Sequence, residues 1–177
     1  MRILVLGGIR SGKSQWAEAA ITAATGAAEP VRYVATGATA DRDPAWAARV
    51  AAHRARRPAR WSTVETAELA TELTEAPASA ALVDDIGGWL TAVMDRREAW
   101  GGAPIDADVD ELVRAVGGFT GELVLVSPEV GLTVVPATEA GRRFADELGT
   151  VNQRLAAVCE RVVLVVAGQP VTVKEPK

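Results

Sequence analysis

The sequence predicts an α/β fold, with a mainly parallel sheet, helices on both faces and one domain over residues 1–177. Two observations support this prediction. Short β-branched runs recur along the chain, and they are continuously apolar, as is typical of strands covered on both faces. Segments with helical periodicity separate these runs, which is the pattern of consecutive strand–helix–strand units. A chain of 177 residues is long enough for one well-buried domain and short for two.

The individual elements follow from these patterns. Apolar runs bounded by turn residues predict five strands, at residues 2–6, 31–35, 80–84, 122–126 and 161–166. Helical periodicity between them predicts helices over residues 13–25, 44–57, 66–76, 87–98, 106–117 and 138–159. Asp106 is a candidate cap for the helix that it begins, and the run VTV at 171–173 is a candidate edge strand.

Composition and charge narrow the possible functions. The formal net charge of -4 and the pI of about 5.1 argue against nucleic acid or a membrane surface as a general partner. No apolar run approaches the roughly 20 residues of a membrane span. The single cysteine, Cys159, excludes an internal disulfide and fits a reducing compartment. We therefore expect a cytoplasmic protein with no membrane span.

A phosphate-binding motif follows the first predicted strand directly. Residues 7–14, GGIRSGKS, match G-x-x-x-x-G-K-[ST]. The glycines let backbone N–H groups turn towards phosphate oxygens, and the next helix adds the partial positive charge of its N-terminus. In this motif Lys13 reaches the β- and γ-phosphates, and the Ser14 hydroxyl binds Mg²⁺. The alternative is a chance match, but a strand and a helix flank the motif as a P-loop NTPase-like fold requires.

Two adjacent carboxylates, Asp84 and Asp85, follow the third predicted strand. A P-loop usually works with an acid at the end of another strand, which orients Mg²⁺. Side chains alternate along a strand, so the two carboxylates cannot both face the same way. We assign the metal to Asp84. The alternative is that either aspartate only caps the next helix.

The only histidine, His53, lies in an arginine-rich segment. In a helix over 44–57 it would share one face with Trp46, Val50 and Arg57. Cationic neighbours disfavour the imidazolium form, and guanidinium groups pair bidentately with phosphate oxygens. His53 is therefore a candidate general base or a nucleophile towards phosphorus. Spacing alone leaves a second interpretation open, a structural imidazole beside arginines that are paired with glutamates.

Seven blocks of sequence occur in an order that resembles a known family. The blocks are GGIRSGKS 7–14, YVATG 33–37, RVAAHRARRPARW 49–61, TVE 63–65, VDDIGGWL 83–90, SPEVGLTVVP 127–136 and VNQRLA 151–156. They are similar to those of the bifunctional adenosylcobinamide kinase/adenosylcobinamide-phosphate guanylyltransferases of cobalamin biosynthesis, over nearly the whole chain. The P-loop is unspecific, whereas His-x-x-x-Arg-Pro-x-x-Trp with the EVG and NQRLA blocks is quite specific.

The resemblance implies two reactions. A γ-phosphate from GTP or ATP is transferred to the hydroxyl of adenosylcobinamide. GMP is then taken from GTP through a guanylylated histidine and passed to adenosylcobinamide phosphate, giving adenosylcobinamide-GDP and pyrophosphate. The resemblance also implies a homo-oligomer, specifically a trimer, with GTP, ATP and Mg²⁺ as cofactors.

The same resemblance assigns the site residues. His53 is the guanylylated residue, Lys13 shares the catalytic work, and Ser14 with Asp84 holds the metal. The nucleotide contacts that it implies are Gly7, Gly8, Ile9, Arg10, Ser11, Gly12, Lys13, Ser14, Ala35, Thr36, Gly37, Arg54, Ala55, Arg56, Arg57, Glu65 and Asp84.

Four positions depart from the family pattern. Pro128 replaces a usual asparagine, Thr133 a usual glycine, and Gly87 and Gly88 replace threonine and a larger residue. These positions lie in loops on the expected corrinoid side, so they bear on the kinase step and on substrate fit.

Two alternatives belong to other classes of function. One is a P-loop small-molecule kinase without nucleotidyl transfer, in which His53 is only a base. The other is a nucleotide-binding regulatory module whose chemistry has decayed. The presence of His53 together with Lys13, Ser14 and Asp84 argues against decay.

Overall fold

A computed structural model describes residues 1–26, 28–36 and 57–176. The strands in these ranges are β1 (Arg2–Gly7), β2 (Arg32–Ala35), β3 (Ser62–Glu65), β4 (Ala81–Asp84), β5 (Leu123–Pro128), β6 (Arg161–Val166) and β7 (Gln169–Lys174). The α-helices are α1 (Lys13–Thr25), α2 (Leu69–Glu75), α3 (Ile86–Arg96), α4 (Asp106–Gly117) and α5 (Glu139–Val158), and a 3₁₀ turn covers Ala99–Gly101.

The seven strands form one sheet in the order β3-β2-β4-β5-β1-β6-β7. All pairs are parallel except β6 with β7, which is an antiparallel hairpin at one edge. The carboxyl ends of the six parallel strands therefore lie together. We call this border of the sheet the carboxyl edge, and it is marked by Gly7, Ala35, Glu65, Asp84, Pro128 and Val166. The opposite border, where these strands begin, is the amino edge.

Successive residues of the strands pack into two separate cores, one on each face of the sheet. On one face Val5 packs with Ala17 and Ile21 of α1, together with Tyr33 and Trp61. On the other face lies the larger core, to which Leu4 and the apolar sides of α2, α3, α4 and α5 contribute. Burial on both faces is the reason that the strands have continuous apolar runs. The predicted α/β class with helices on both faces is confirmed.

The sequence predicted most of these elements closely. The helices over 13–25 and 106–117 and the strand over 161–166 match their predictions in extent, and the edge strand at 171–173 is part of β7. The predicted helix over 44–57 lies outside the described residues, apart from Arg57. Among the described residues no helix is long and apolar enough to cross a membrane.

Two predictions were wrong in detail. β3 was missed, because only one of its four residues is even partly buried and the segment has no apolar run. Asp106 does not cap α4: the cap position is Ile105, without a side-chain hydrogen bond. Asp106 instead lies in the first turn, where its negative charge interacts favourably with the helix dipole.

Candidate active site

Two of the three glycines in residues 7–14, Gly7 and Gly12, are required by close packing at the end of β1, whereas Gly8 has open space beside it. A Cβ on Gly7 would lie 2.4 Å from Ser11 Oγ and 2.9 Å from the Val165 carbonyl oxygen. Gly12 has a φ of 93°, in the left-handed region that favours glycine, and its Cβ would lie 3.1 Å from Gly168 Cα. The loop thus turns tightly against the β6–β7 hairpin and leads straight into α1.

The polar groups of this loop are turned inward. The Gly168 N–H donates to the Ser11 carbonyl at 2.7 Å, which ties the loop to the hairpin. Lys13 Nζ donates to the Gly8 carbonyl at 3.3 Å, so the ammonium group bends back over the loop. The buried Ser11 Oγ has no hydrogen-bond partner among the described residues. An unpaired hydroxyl of this kind inside a glycine loop is available to a bound anion.

The two aspartates after β4 have different roles. Asp84 pairs in register with Ala35, so its side chain lies on the α1 face of the sheet. Asp85 caps α3, because its Oδ1 accepts from the Gly88 N–H at 2.7 Å. Burial raises the pKa of Asp85, and the negative charge of Asp84 raises it further, while the cap and the Lys13 charge oppose both. Asp85 is therefore the helix cap, and Asp84 stays the candidate metal ligand.

Tyr33 contacts Asp84 from the neighbouring strand. Its hydroxyl donates to Asp84 Oδ2 at 2.6 Å, and Tyr33 itself is only 3% exposed. The guanidinium carbon of Arg57 lies 3.2 Å from the centroid of the same ring, while Arg57 Nη1 donates to Thr63 Oγ1 at 3.2 Å. One aromatic side chain thus contacts both a carboxylate at the end of β4 and an arginine that follows the histidine segment.

Residues 129–131, the EVG block, lie beside residues 7–14, which we call the phosphate loop. The Glu129 N–H donates to the Gly7 carbonyl at 3.0 Å. Two residues before Glu129, the buried Ser127 hydroxyl donates to Asn152 Oδ1 at 2.6 Å. Asn152 Nδ2 in turn donates to the Pro128 carbonyl at 3.1 Å. Asn152, from the NQRLA block on α5, therefore supports the EVG block against the end of β1.

Two of the departures from the family pattern contact each other. A Cβ on Gly87 would lie 2.9 Å from Cγ of Pro128. The proline ring occupies the space that a threonine side chain at position 87 would need. Gly87 and Pro128 are therefore neighbours at the carboxyl edge. The expectation that the departures lie in loops is wrong for three of them, because Gly87 and Gly88 lie in α3 and Pro128 ends β5.

The described residues fit a nucleotide with Mg²⁺. Glycines that admit no Cβ, a helix N-terminus, a lysine and an unpaired hydroxyl are the features of a phosphate cradle. Ser14 and Asp84 supply the oxygen donors that Mg²⁺ prefers. In the described part of the chain no group of three or more His, Cys, Asp or Glu residues could hold a metal ion alone.

Most predicted site residues within the described ranges lie at the carboxyl edge or directly beyond it: residues 7–12 form the loop after β1, and Lys13 and Ser14 begin α1. Arg57 is the exception, because it precedes β3 and contacts Thr63 and the Tyr33 ring. The buried Thr36 donates its hydroxyl to the Asp85 carbonyl, Glu65 ends the edge strand β3, and Ile9 is 91% exposed. The predicted residues that lie outside the described ranges are Gly37, His53, Arg54, Ala55 and Arg56.

Sequence reasoning missed the roles of Tyr33 and Asn152. Tyr33 is the only tyrosine, and it lies two residues before the strand end that pairs with Asp84. That position was a usable signal, because residues two apart on a strand share a face. Asn152 gave no comparable signal, since its partners are 24 and 25 residues away along the chain.

Comparison with known proteins gives a consistent result. Residues 3–173 match the family model described as cobinamide kinase / cobinamide phosphate guanyltransferase. A protein of Pseudomonas aeruginosa, named bifunctional adenosylcobalamin biosynthesis protein CobP, is 42% identical over 177 residues, with 98% of each chain covered. A Salmonella typhimurium protein, named bifunctional adenosylcobalamin biosynthesis protein CobU, is 39% identical over 187 residues, covering 98% of this chain and 100% of its own.

Proposed function

The chain belongs to the cobinamide kinase / cobinamide phosphate guanyltransferase family, and we propose that residues 1–177 form one domain in which a single nucleotide cradle serves two successive reactions. The chain is an enzyme of adenosylcobalamin biosynthesis with both kinase and guanylyltransferase activity, like its relatives. The observation that carries the assignment of residues is the placement of the phosphate loop and Asp84 at the carboxyl edge, with Tyr33 in contact with both Asp84 and Arg57.

The triphosphate binds in the loop formed by residues 7–14. Backbone N–H groups of the loop and the N-terminus of α1 hold phosphate oxygens, and the Ser11 hydroxyl gains an acceptor. Lys13 exchanges its 3.3 Å contact with the Gly8 carbonyl for the β- and γ-phosphates. Ala35 ends β2, which β4 and β5 separate from β1, and with Thr36 and Gly37 it contacts the nucleotide from that side of the sheet.

Ser14 and Asp84 hold Mg²⁺. When bound, the ion neutralises the phosphates and polarises the phosphorus under attack. The role of the protein would be to present the Ser14 hydroxyl and the Asp84 carboxylate as oxygen donors to the ion. The Tyr33 hydroxyl occupies Asp84 Oδ2, and among the described residues nothing donates to Oδ1, which remains available.

In the kinase reaction the acceptor is the hydroxyl of adenosylcobinamide, and the donor is GTP or ATP. The hydroxyl oxygen bonds to the γ-phosphorus, the bond to the bridging oxygen breaks, and the nucleoside diphosphate leaves. Lys13 stabilises the charge that develops on the γ-phosphate and the leaving group.

In the transferase reaction the neutral imidazole of His53 attacks the α-phosphorus of GTP and displaces pyrophosphate. The phosphate of adenosylcobinamide phosphate then attacks the guanylyl group, forms adenosylcobinamide-GDP and frees the imidazole. Arg54, Arg56 and Arg57, with Ala55 between them, hold the phosphates, and Glu65 contacts the nucleotide from the end of β3. Arg57 lies over the Tyr33 ring and donates to Thr63 Oγ1, and four peptide units between it and His53 span at most about 14 Å.

We also propose a homotrimer in the cytoplasm. A corrinoid is large, so a cleft between subunits suits it better than the surface of one chain. Exposed apolar side chains in the loop after the EVG block, Leu132, Val134 and Val135, are available for such a contact. The buried free thiol of Cys159 fits a reducing compartment.

The proposal is tested by intact-mass measurement after incubation with Mg-GTP. We expect the wild-type protein to gain the mass of one GMP. The added group should be labile in acid and stable in base, as a phosphoramidate is. His53→Ala should gain no GMP but still consume γ-phosphate when adenosylcobinamide is present.

Lys13→Ala is the comparison variant, because both reactions need the shared cradle. A GMP adduct on His53→Ala would exclude His53 as the nucleophile. Kinase turnover without any adduct on the wild-type protein would instead favour a small-molecule kinase. Loss of only one reaction in Lys13→Ala would contradict the single cradle.

A further inference from the structure

Tyr33 has an environment that its place in a hydrophobic core does not explain. Its ring belongs to the core on the α1 face, with Val5, Val126 and Leu82. Its hydroxyl, however, reaches the end of the next strand and donates to Asp84 Oδ2 at 2.6 Å. Burial raises the pKa of Tyr33, and the negative charge of Asp84 raises it further, so the hydroxyl keeps its proton at neutral pH and acts as a donor.

We propose that Tyr33 is a positioning residue, which holds the Asp84 carboxylate in the orientation that binds the metal–nucleotide complex. This inference rests on the proposed function, because it acts through the metal role of Asp84. A carboxylate that ligates Mg²⁺ through one oxygen must be fixed about its χ angles, and a hydrogen bond to the other oxygen does this. The partly buried end of β4 offers Asp84 no other donor among the described residues.

The aromatic ring of Tyr33 makes a second contact, with Arg57 of the arginine-rich segment. Arg57 lies over the ring with its guanidinium carbon 3.2 Å from the centroid, a cation–π distance. Arg57 is four residues after His53 in the sequence, so one ring contacts both the proposed metal-binding carboxylate and an arginine that closely follows the proposed nucleophile. The hydroxyl serves the first partner and the aromatic face serves the second, which makes the two contacts separable by substitution.

Tyr33→Phe is the substitution that isolates the hydroxyl. It preserves the ring, its packing and the Arg57 contact, and it removes only the hydrogen bond to Asp84. Mn²⁺ replaces Mg²⁺ as the probe, and its affinity is read from the electron paramagnetic resonance signal of free Mn²⁺. The nucleotide is guanosine 5′-(α,β-methylene)triphosphate, whose α–β bridge His53 cannot break, and adenosylcobinamide is omitted, so binding is measured without turnover. We expect an approximately 10-fold loss of Mn²⁺ affinity, the lower end of the range for groups that orient metal ligands.

Ser79→Ala is the matched control. Ser79 Oγ accepts from Arg32 Nε at 2.8 Å, so this variant also removes one hydrogen bond of a β2 side chain, but at the amino edge. It should bind Mn²⁺ like the wild-type protein. The metal-free affinity for the nucleotide should stay within about twofold in both variants, since neither touches the phosphate loop.

Asp84→Asn and the double variant complete the test. If Tyr33 acts through Asp84, Tyr33→Phe should weaken Mn²⁺ binding no further once Asp84 is asparagine. Equal Mn²⁺ affinity in Tyr33→Phe and wild type, equal losses in Tyr33→Phe and Ser79→Ala, or additive losses in the double variant would each overturn the inference. In all three cases, weakened Mn²⁺ binding by the Asp84→Asn variant would leave the proposed metal site intact. Wild-type Mn²⁺ affinity in Asp84→Asn would overturn the metal assignment itself, and the inference with it.

Discussion

The two edges of the sheet differ in how their charges are satisfied. At the amino edge, Arg2 Nε donates to Glu160 Oε1 at 3.0 Å, and Arg32 pairs with Glu72 while also donating to the Ala76 carbonyl at 3.0 Å. At the carboxyl edge, Lys13 has one long contact to a carbonyl, and the Ser11 hydroxyl has no partner among the described residues. The same strands thus end in paired charges on one side and in available polar groups on the other.

This difference separates stability from function. Paired and hydrogen-bonded charges stabilise the fold, whereas available donors and a carboxylate with a raised pKa cost stability and suit ligand binding. Ligands of open α/β sheets bind beyond the carboxyl ends of the strands, where the connections diverge. We therefore expect substitutions at the carboxyl edge to change activity, and those at the amino edge to change the free energy of unfolding.

The largest effect is expected when a lysine is replaced by alanine, in two separate variants, one at each edge of the sheet. Lys13→Ala should lower kcat/KM of the kinase about 100- to 1000-fold, because a charge-stabilising donor is lost, and should leave Tm almost unchanged. Lys174 Nζ instead donates to the Ala156 and Cys159 carbonyls at the end of α5. Lys174→Ala should cost about 1–2 kcal/mol of unfolding free energy with kcat/KM retained. Steady-state kinetics and denaturant unfolding measure both, and reversed outcomes would contradict the separation.

The next effect concerns packing at the amino edge. A Cβ on Gly121 would lie 2.7 Å from the carbonyl oxygens of Ala78 and Ser79, whereas nothing lies within 4 Å of one on Gly117. Gly121→Ala should lower the free energy of unfolding by about 1–3 kcal/mol, since backbone must move. Gly117→Ala, at the end of α4, is the control and should be neutral or slightly stabilising. Equal stability of the two variants would show that this turn yields without cost.

A smaller and pH-dependent effect is expected from Glu160. The hydrogen bond from Arg2 lowers the pKa of Glu160 from 4.5 to about 2. Its contribution to stability is therefore fully present above pH 4.5 and is lost as the pH falls towards 2. Because the pair is partly exposed, Glu160→Gln should cost only about 1 kcal/mol at neutral pH. Unfolding curves of the two proteins should converge in acid; a constant difference would exclude the ion pair as the cause.

The smallest effect, with the opposite sign, is expected from Asp85 at the carboxyl edge. Its pKa is raised, mainly by burial, so stability from its protonated form is present below 3.8 and is lost as the pH rises through the raised value. Asp85→Asn keeps the helix cap, since asparagine caps equally well, and removes this loss. The variant should gain less than about 1 kcal/mol relative to wild type between acid and neutral pH. A relative loss over that interval would show that the carboxylate is stabilised in place.

Local pattern was sufficient for the elements that carry strong periodicity. The helices over 13–25 and 106–117 and the strand over 161–166 were predicted with their observed ends. It was insufficient for β3, whose residues are mostly exposed, and for the start of α4, where the cap position is Ile105 and not Asp106. The residue types alone do not identify an exposed strand such as β3 or a cap position without a side-chain hydrogen bond such as Ile105.

The same contrast holds within the candidate site. The glycine loop and Asp84 were predicted because each function needs particular residue types at a short, fixed spacing. Sequence spacing could not show which of Asp84 and Asp85 caps α3, because that depends on which face of the sheet each side chain occupies. Nor could it reveal that Pro128 fills the space beside Gly87, 41 residues earlier in the chain.

Residue order was thus enough to predict the α/β class, which is confirmed, and to propose the phosphate loop and a metal-binding aspartate, because these follow from periodicity and from contiguous motifs. Folding in three dimensions added the Tyr33–Asp84 hydrogen bond across 51 positions, the Arg57 contact and the support from Asn152. These contacts exist only because parallel strands bring distant segments to one edge in a particular order, and no local interaction specifies that order.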